Sequence, residues 1–150
     1  MLQVGDKLPE FELLNQDGDK VQSKSFLGKK LIVFFYPKAS TPGCTTEACN
    51  LNDNLADLTK EGYQLIGVSA DPVPAQRKFH EKNELQFPLL SDESKETLEK
   101  FGVWVMKNFM GREYMGVVRT TFIFDEKGIC TRVIDKVKNK TAARQILKES

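Results

Sequence analysis

The stretch LIVFFYPKASTPGCTTEACNLNDNLADLTKEGYQLIGV, residues 31–68, decides the fold. Leu31 to Tyr36 is apolar without alternation, the pattern of a strand buried on both faces of a largely parallel sheet, and it stops at Pro37. From Cys44 onward, Ala48, Leu51, Leu55 and Leu58 recur at helical spacing until Gly62, which predicts one helix of about four turns. Leu65 to Val68 is a second apolar strand. Strand, helix and strand therefore follow one another with the crossover length that a parallel pair needs.

Outward from this unit, Phe11 to Leu14 and Val21 to Ser23 flank Asp17-Gly18 and predict a small hairpin that must lean on something larger. On the other side, Asp71-Pro72 ends the second strand, a helix is expected over Pro74 to Lys82, and Phe87 to Leu90 can add a short strand before a helix through Phe101. Val117 to Phe124 and Ile129 to Ile134 then flank Asp125-Glu126-Lys127-Gly128 as a second hairpin, and a final helix starts near Thr141. Hairpin, βαβ and ββα in that order suit an α/β, thioredoxin-like fold: a central mixed sheet flanked by helices, with an N-terminal β-hairpin. No repeat or linker interrupts the chain, so 1–150 reads as a single domain.

Lys plus Arg number 22 against 21 Asp plus Glu, a formal charge of +1, which lacks the footprint of a protein that neutralises phosphates, so no nucleic-acid partner is expected. The longest apolar run is far short of the ~20 residues that span a bilayer, and the N-terminus has no signal-type apolar region. The expectation is a cytoplasmic protein without a membrane partner. Its three cysteines are then kept reduced, and they read as chemistry rather than scaffolding. The Asn139-Lys140-Thr141 sequon carries no expectation in that setting.

Ligand sites in such sheets lie beyond the carboxyl ends of the parallel strands, here Pro37 to Cys44. Cys44 falls in the first turn of a helix, where free N–H groups and the helix dipole favour an anion, and a thiolate rather than a thiol is the nucleophile. The alternative is a small buried apolar residue. Arg119 interrupts an otherwise strand-like run, and a buried guanidinium needs an anionic partner, unless it is an edge-strand arginine that snorkels to water. A metal site from Cys44, Cys49, His80 and Cys130 lacks the paired spacing of zinc motifs. His80 sits in a charged stretch and is expected on a solvated helix face. Asp92 to Glu96 is expected to cap and solvate a helix start. Phe109, Met110, Tyr114 and Met115 fall in a Gly-containing region expected to be a loop, which walls a site, faces a partner or tucks onto the core.

The arrangement resembles peroxiredoxins, and within them the PrxQ group, also called bacterioferritin comigratory proteins. Pro37, Thr41 and Cys44 fit the family's P-x-x-x-T-x-x-C motif, TPGCTTEAC matches this branch over nine residues, and Arg119 fits the distal family arginine. The likeness continues through Val4-Gly5-Asp6, Leu89-Leu90-Ser91-Asp92 and Phe101-Gly102-Val103-Trp104, so it covers nearly the whole chain. It implies reduction of hydrogen peroxide or organic hydroperoxides by a Cys44 thiolate, which becomes a sulfenic acid and condenses with Cys49. It also implies that Thr41 holds the peroxide, that Arg119 stabilises developing charge, and that Pro37 and Pro42 wall the pocket. Thioredoxin would reopen the disulfide, the protein would be a monomer, and no metal, flavin or haem cofactor would be needed. Where this branch often has A-C-x-x-R-D, the chain has Asn52 before Asp53, so a supporting ion pair is expected to be absent. Cys130 is expected to be structural. A general disulfide oxidoreductase would use C-x-x-C, whereas four residues separate Cys44 and Cys49.

The implied pairing has a geometric consequence. Residues five apart on an ideal helix point about 140° apart with Cα atoms roughly 8–9 Å apart, beyond the ~7 Å limit of most disulfides. A reduced chain should thus be helical through 44–58, and a Cys44–Cys49 disulfide needs its first turns to unwind.

Overall fold

In the computed structural model, which describes residues 1–148, the elements are β1 (Glu12–Asn15), β2 (Lys20–Gln22), β3 (Lys30–Phe35), α1 (Pro42–Asp53), α2 (Leu55–Lys60), β4 (Tyr63–Ser69), α3 (Val73–Lys82) and β5 (Leu89–Ser91). They continue with α4 (Glu96–Phe101), β6 (Trp104–Phe109), β7 (Arg112–Val117), β8 (Thr120–Phe124), β9 (Cys130–Ile134) and α5 (Ala142–Leu147). Seven strands form one sheet in the order β2-β1-β5-β4-β3-β8-β9, with β3, β4 and β5 mutually parallel and the other pairings antiparallel. This is the thioredoxin-like arrangement expected. The N-terminal hairpin does lean on the larger unit, through Leu14 opposite Ser91 and Asn15 opposite Leu90.

The unalternating run of β3 has a direct cause. Leu31, Val33 and Phe35 enter one core with Val68, Leu90, Leu98, Phe101, Phe122 and Phe124, while Ile32, Phe34 and Tyr36 enter the other with Ala48, Leu51, Leu58, Phe79 and Ile146. Both pleat faces are buried, so both must be apolar. Each buried Phe or Leu contributes about 1.5–3 kcal/mol relative to exposure. Helices α1, α3 and α5 cover the second face, α4 the first. Among the described residues no helix is long and apolar enough to cross a membrane.

The helix expected without interruption to Gly62 breaks at Asn54. Its side-chain amide donates to the Asn50 carbonyl at 2.8 Å, and its backbone N–H turns to the carbonyls of Asn50 and Asn52, ending α1 before α2 begins. Local side-chain hydrogen bonding of this kind is what makes Asn a poor helix interior residue. The expected strand from Val117 to Phe124 is also divided. Val117 closes β7, Thr120 opens β8, and Val118-Arg119 form the corner between two sheets, so Arg119 is not a strand residue.

The region expected to be a loop around Phe109 to Met115 is the two-stranded hairpin β6–β7, from Trp104 opposite Val117 to Phe109 opposite Arg112. Met110 and Gly111 carry φ of 53° and 80°, the left-handed pair of a tight hairpin turn, usually Asn-Gly or Asp-Gly. Met110 is 90% exposed, and Met106, Phe109, Tyr114 and Met115 are exposed with it rather than tucked onto the core.

Asp92 caps α4 as expected but is buried rather than solvated, accepting the Leu98 N–H at 2.7 Å and the Ser94 hydroxyl at 3.2 Å. His80 is half-buried, its Nε2 lying 3.1 Å from the Phe87 carbonyl, and so does not face solvent freely.

Candidate active site

Strand β3 delivers the chain to Pro37, and a buried polar network then fixes the turn that follows. The Tyr36 hydroxyl donates to Gln76 Oε1 at 2.6 Å, Gln76 Nε2 donates to Ser69 Oγ at 3.0 Å and to the Leu90 carbonyl at 2.9 Å. Ser69 in turn donates to Asp71 Oδ2 at 2.6 Å, and the same oxygen accepts the Ala39 N–H at 2.8 Å. Ser40 takes a left-handed φ of 65°, which turns the chain into α1. Thr41 is the N-cap residue and Pro42 occupies the first helical position, where its missing N–H costs nothing. The first bond of the helix runs from Thr45 N–H to the Thr41 carbonyl at 2.9 Å, so the N–H groups of Gly43 and Cys44 precede the ladder.

Cys44 is 1% exposed, and Arg119 reaches it from the β7–β8 corner: Nη2 donates to Cys44 Sγ at 3.3 Å, while Nη1 donates to Glu47 Oε1 at 2.7 Å. One guanidinium thus spans a sulfur and a carboxylate, the bidentate work its planar fork allows. Burial works against the Arg119 charge, but Glu47 and Cys44 outweigh it and hold the group protonated. Gly43 is what lets these groups close in. A Cβ there would lie 3.3 Å from Arg119 Nη2 and 3.1 Å from Asn139 Nδ2. Lys107 of β6 is a second cation near the sulfur; burial and then the Arg119 charge lower its pKa, and Cys44 opposes them.

Of the sequence-predicted residues, Cys44, Thr41 and Arg119 come together at the start of α1. Thr41 Oγ1 donates to the Lys38 carbonyl at 2.8 Å, and Pro37 and Pro42 lie exposed, both ahead of Cys44 in the chain. Cys49 sits on the same unbroken helix, half-buried, with Sγ 3.6 Å from Asn83 Oδ1, and all three cysteines are free thiols. Burial and then the Asp53 charge push the Cys49 thiol up. Cys130 is buried in β9, its thiol pushed up by burial and donating to the Arg132 carbonyl at 3.4 Å. Asn52, where the family pattern suggested a lost ion pair, makes two hydrogen bonds instead. Its amide donates to the Glu84 carbonyl at 3.2 Å and accepts the Gln86 N–H at 2.8 Å, tying α1 to the loop before β5.

Glu47 is the residue that sequence reasoning missed. It is fully buried, Oε2 has no partner among the described residues, and burial pushes its carboxyl up to about 7 although Arg119 pulls the other way. A signal was available: Glu47 follows Cys44 by three, on the face that also carries Ala48 and Leu51, where a carboxylate needs a cation. Because the folded state holds this proton more tightly than the unfolded chain, Glu47 adds stability below the ordinary carboxylate value of 4.5 and loses it as pH rises towards about 7. Glu47→Gln should flatten that part of the profile, with a difference on the order of 1–3 kcal/mol between pH 5 and 8. Urea unfolding of both proteins at the two pH values checks this, and parallel profiles would refute it.

The AhpC/TSA family pattern matches residues 4–133. A Bcp peroxiredoxin of Haemophilus influenzae is 45% identical over 97% of this chain and 94% of its own, and Peroxiredoxin Bcp of Escherichia coli is 45% identical over 91% and 88%. Among solved structures, the bacterioferritin comigratory protein of Xanthomonas campestris, described for alkyl peroxide reduction, superimposes with a TM-score of 0.88 at 32% identity, covering 96% of each chain. BcpB of Mycobacterium tuberculosis gives 0.87 at 34% identity, over 99% of this chain and 96% of its own.

Proposed function

The chain belongs to the AhpC/TSA family and, within it, to the Bcp/PrxQ peroxiredoxins, which are thiol peroxidases, and from that premise we propose that Cys44 is the peroxidatic cysteine and Cys49 its resolving partner. The observation that carries this is the Arg119 guanidinium, which touches Cys44 Sγ and is itself anchored on the buried Glu47. Neither Cys49 nor Cys130 has a cation in hydrogen-bond contact among the described residues.

The Cys44 thiolate attacks the terminal oxygen of ROOH, the O–O bond breaks, and the alkoxide leaves as ROH after taking a proton, with Cys44 left as the sulfenic acid. Arg119 lies where negative charge shifts from sulfur to the departing oxygen, and positioned donors of this kind lower a barrier by about 3 kcal/mol each. The Thr41 hydrogen is committed to the Lys38 carbonyl, so its oxygen is left to accept the peroxide O–H. Pro37 and Pro42 form the apolar walls beside it. Cys49 then displaces water from the sulfenic acid, and a thioredoxin-type dithiol protein reduces the disulfide in a cytoplasmic, monomeric enzyme.

Mass spectrometry after one equivalent of hydrogen peroxide tests the assignment. A Cys44–Cys49 linkage with Cys130 still a thiol is expected; a linkage through Cys130 would overturn it. Thr41→Val, which keeps the β-branched shape and removes the acceptor, should slow the peroxide step roughly three- to tenfold with the fold unchanged. Rapid-mixing kinetics with hydrogen peroxide measure this, and an unchanged rate would confine Thr41 to the start of the helix.

A further inference from the structure

Helix α1 is latched to the segment that leads into α5. The residue after Cys49, Asn50, uses both ends of its side-chain amide on a distant segment: Nδ2 donates to the Lys140 carbonyl at 2.8 Å, and Oδ1 accepts the Ala143 N–H at 2.9 Å. That segment is itself secured to the sheet. Arg132 of β9 donates from Nη1 to the Ile146 carbonyl at 2.9 Å and from Nη2 to the Gln145 carbonyl at 2.8 Å. Gln145 also donates to the Lys136 carbonyl at 3.0 Å and accepts the Lys138 N–H at 2.7 Å. Asn139 of the same segment lies against Gly43 in the first turn.

Bringing Cys49 to Cys44 means unwinding the helix that carries both. Asn50, bonded to a segment held by β9, cannot follow Cys49 without letting go at both ends of its amide. We propose that Asn50 is a positioning residue for the resolving step: by latching α1 to Lys140 and Ala143 it holds Cys49 away from Cys44 and so sets the lifetime of the Cys44 sulfenic acid. This rests on the Cys44–Cys49 pairing proposed above. Two reactions compete for that sulfenic acid. In the first, Cys44–SOH and the Cys49 thiol give the disulfide and water. In the second, Cys44–SOH and another hydrogen peroxide give the sulfinic acid and water, oxidising the sulfur further. A tighter latch favours the second.

The test is Asn50→Ala in the full chain, mixed with one equivalent of hydrogen peroxide, quenched with a thiol-blocking reagent at successive times and read by mass spectrometry. Loss of two hydrogen bonds should speed disulfide formation about five- to tenfold, while sulfenic acid formation stays within about twofold. Under a tenfold excess of peroxide the sulfinic fraction should fall correspondingly. Alanine is a better helix former than asparagine, so an effect through helix propensity alone would slow the step instead. Asn50→Asp keeps the acceptor for Ala143 and loses the donor to Lys140, and its rate should fall between the two. Equal disulfide rates in wild type and both variants would overturn the latch alone. Absence of any Cys44–Cys49 disulfide in the wild type would overturn the pairing and the latch together.

Discussion

Cys44→Ser is expected to remove peroxide reduction, lowering the rate by about a thousandfold or more, because a hydroxyl at the same place is not ionised and is a far weaker nucleophile than a thiolate. The exchange changes one atom at a site only 1% exposed, so the helix start, the Thr41 cap and the Arg119–Glu47 pair should persist. Peroxide consumption coupled to thioredoxin and its reductase is the measurement. Turnover above a few per cent of wild type would mean that another sulfur does the chemistry. Cys130 is the strictest alternative, being equally buried at 1%, but it lies in a strand where backbone groups rather than a cationic side chain bond its sulfur among the described residues. Cys130→Ser is thus the matching control, with turnover near normal.

Arg119→Lys keeps the charge and should still slow the peroxide step by about a hundredfold. The guanidinium meets Cys44 Sγ with Nη2 and Glu47 Oε1 with Nη1, on two nitrogens held in one plane. A lysine ammonium is a single point that cannot reproduce this fork. It must leave either the sulfur or a fully buried carboxylate without its partner, and an unpaired buried charge is the costlier state. The variant is also expected to lose thermal stability at pH 8, where Glu47 is ionised, more than at pH 5. Peroxide rates and thermal midpoints at both pH values check this; wild-type rates would remove Arg119 from the chemistry.

The central fold was legible because its signals are local and repeated. Leu31 to Tyr36 has no polar residue to place on either face, and its shortness, its aromatic and β-branched content and the Pro37 that ends it favour a strand between two cores over a buried helix. The Asp125–Gly128 turn announced itself similarly, with Asp125 Oδ1 accepting the Lys127 and Ile129 N–H groups at 2.9 Å and Gly128 at φ 80°. The hairpin β6–β7 was not legible because its turn is Met110-Gly111, and methionine is not a residue that usually tolerates a left-handed φ. The break at Asn54 depends on which carbonyl a side-chain amide chooses. In the site, Cys44 and Arg119 stood out because each is costly in its place without a reason. Glu47 gave a quieter signal, since a glutamate in a helix is ordinary until its position is read on the same face as Ala48 and Leu51. The bonds of Asn50 and Asn52 were beyond reach for another reason: they join α1 to residues some 30 and 90 positions away, which no spacing rule connects.

The sheet separates two clusters of buried side chains that have no member in common among the described residues. On the side away from α1, Phe35, Phe101 and Phe122 pack with ring centroids 4.7, 5.2 and 5.7 Å apart, in a cluster to which α1 contributes no residue. An opening of α1, as the proposed pairing requires, would loosen one cluster while the other stays closed, so the strands would keep their register and the helix would have a finished template to return to. On the proposed Cys44–Cys49 pairing, a cycle of partial melting at each turnover would be survivable: the chain would refold its first helix each time, never its topology.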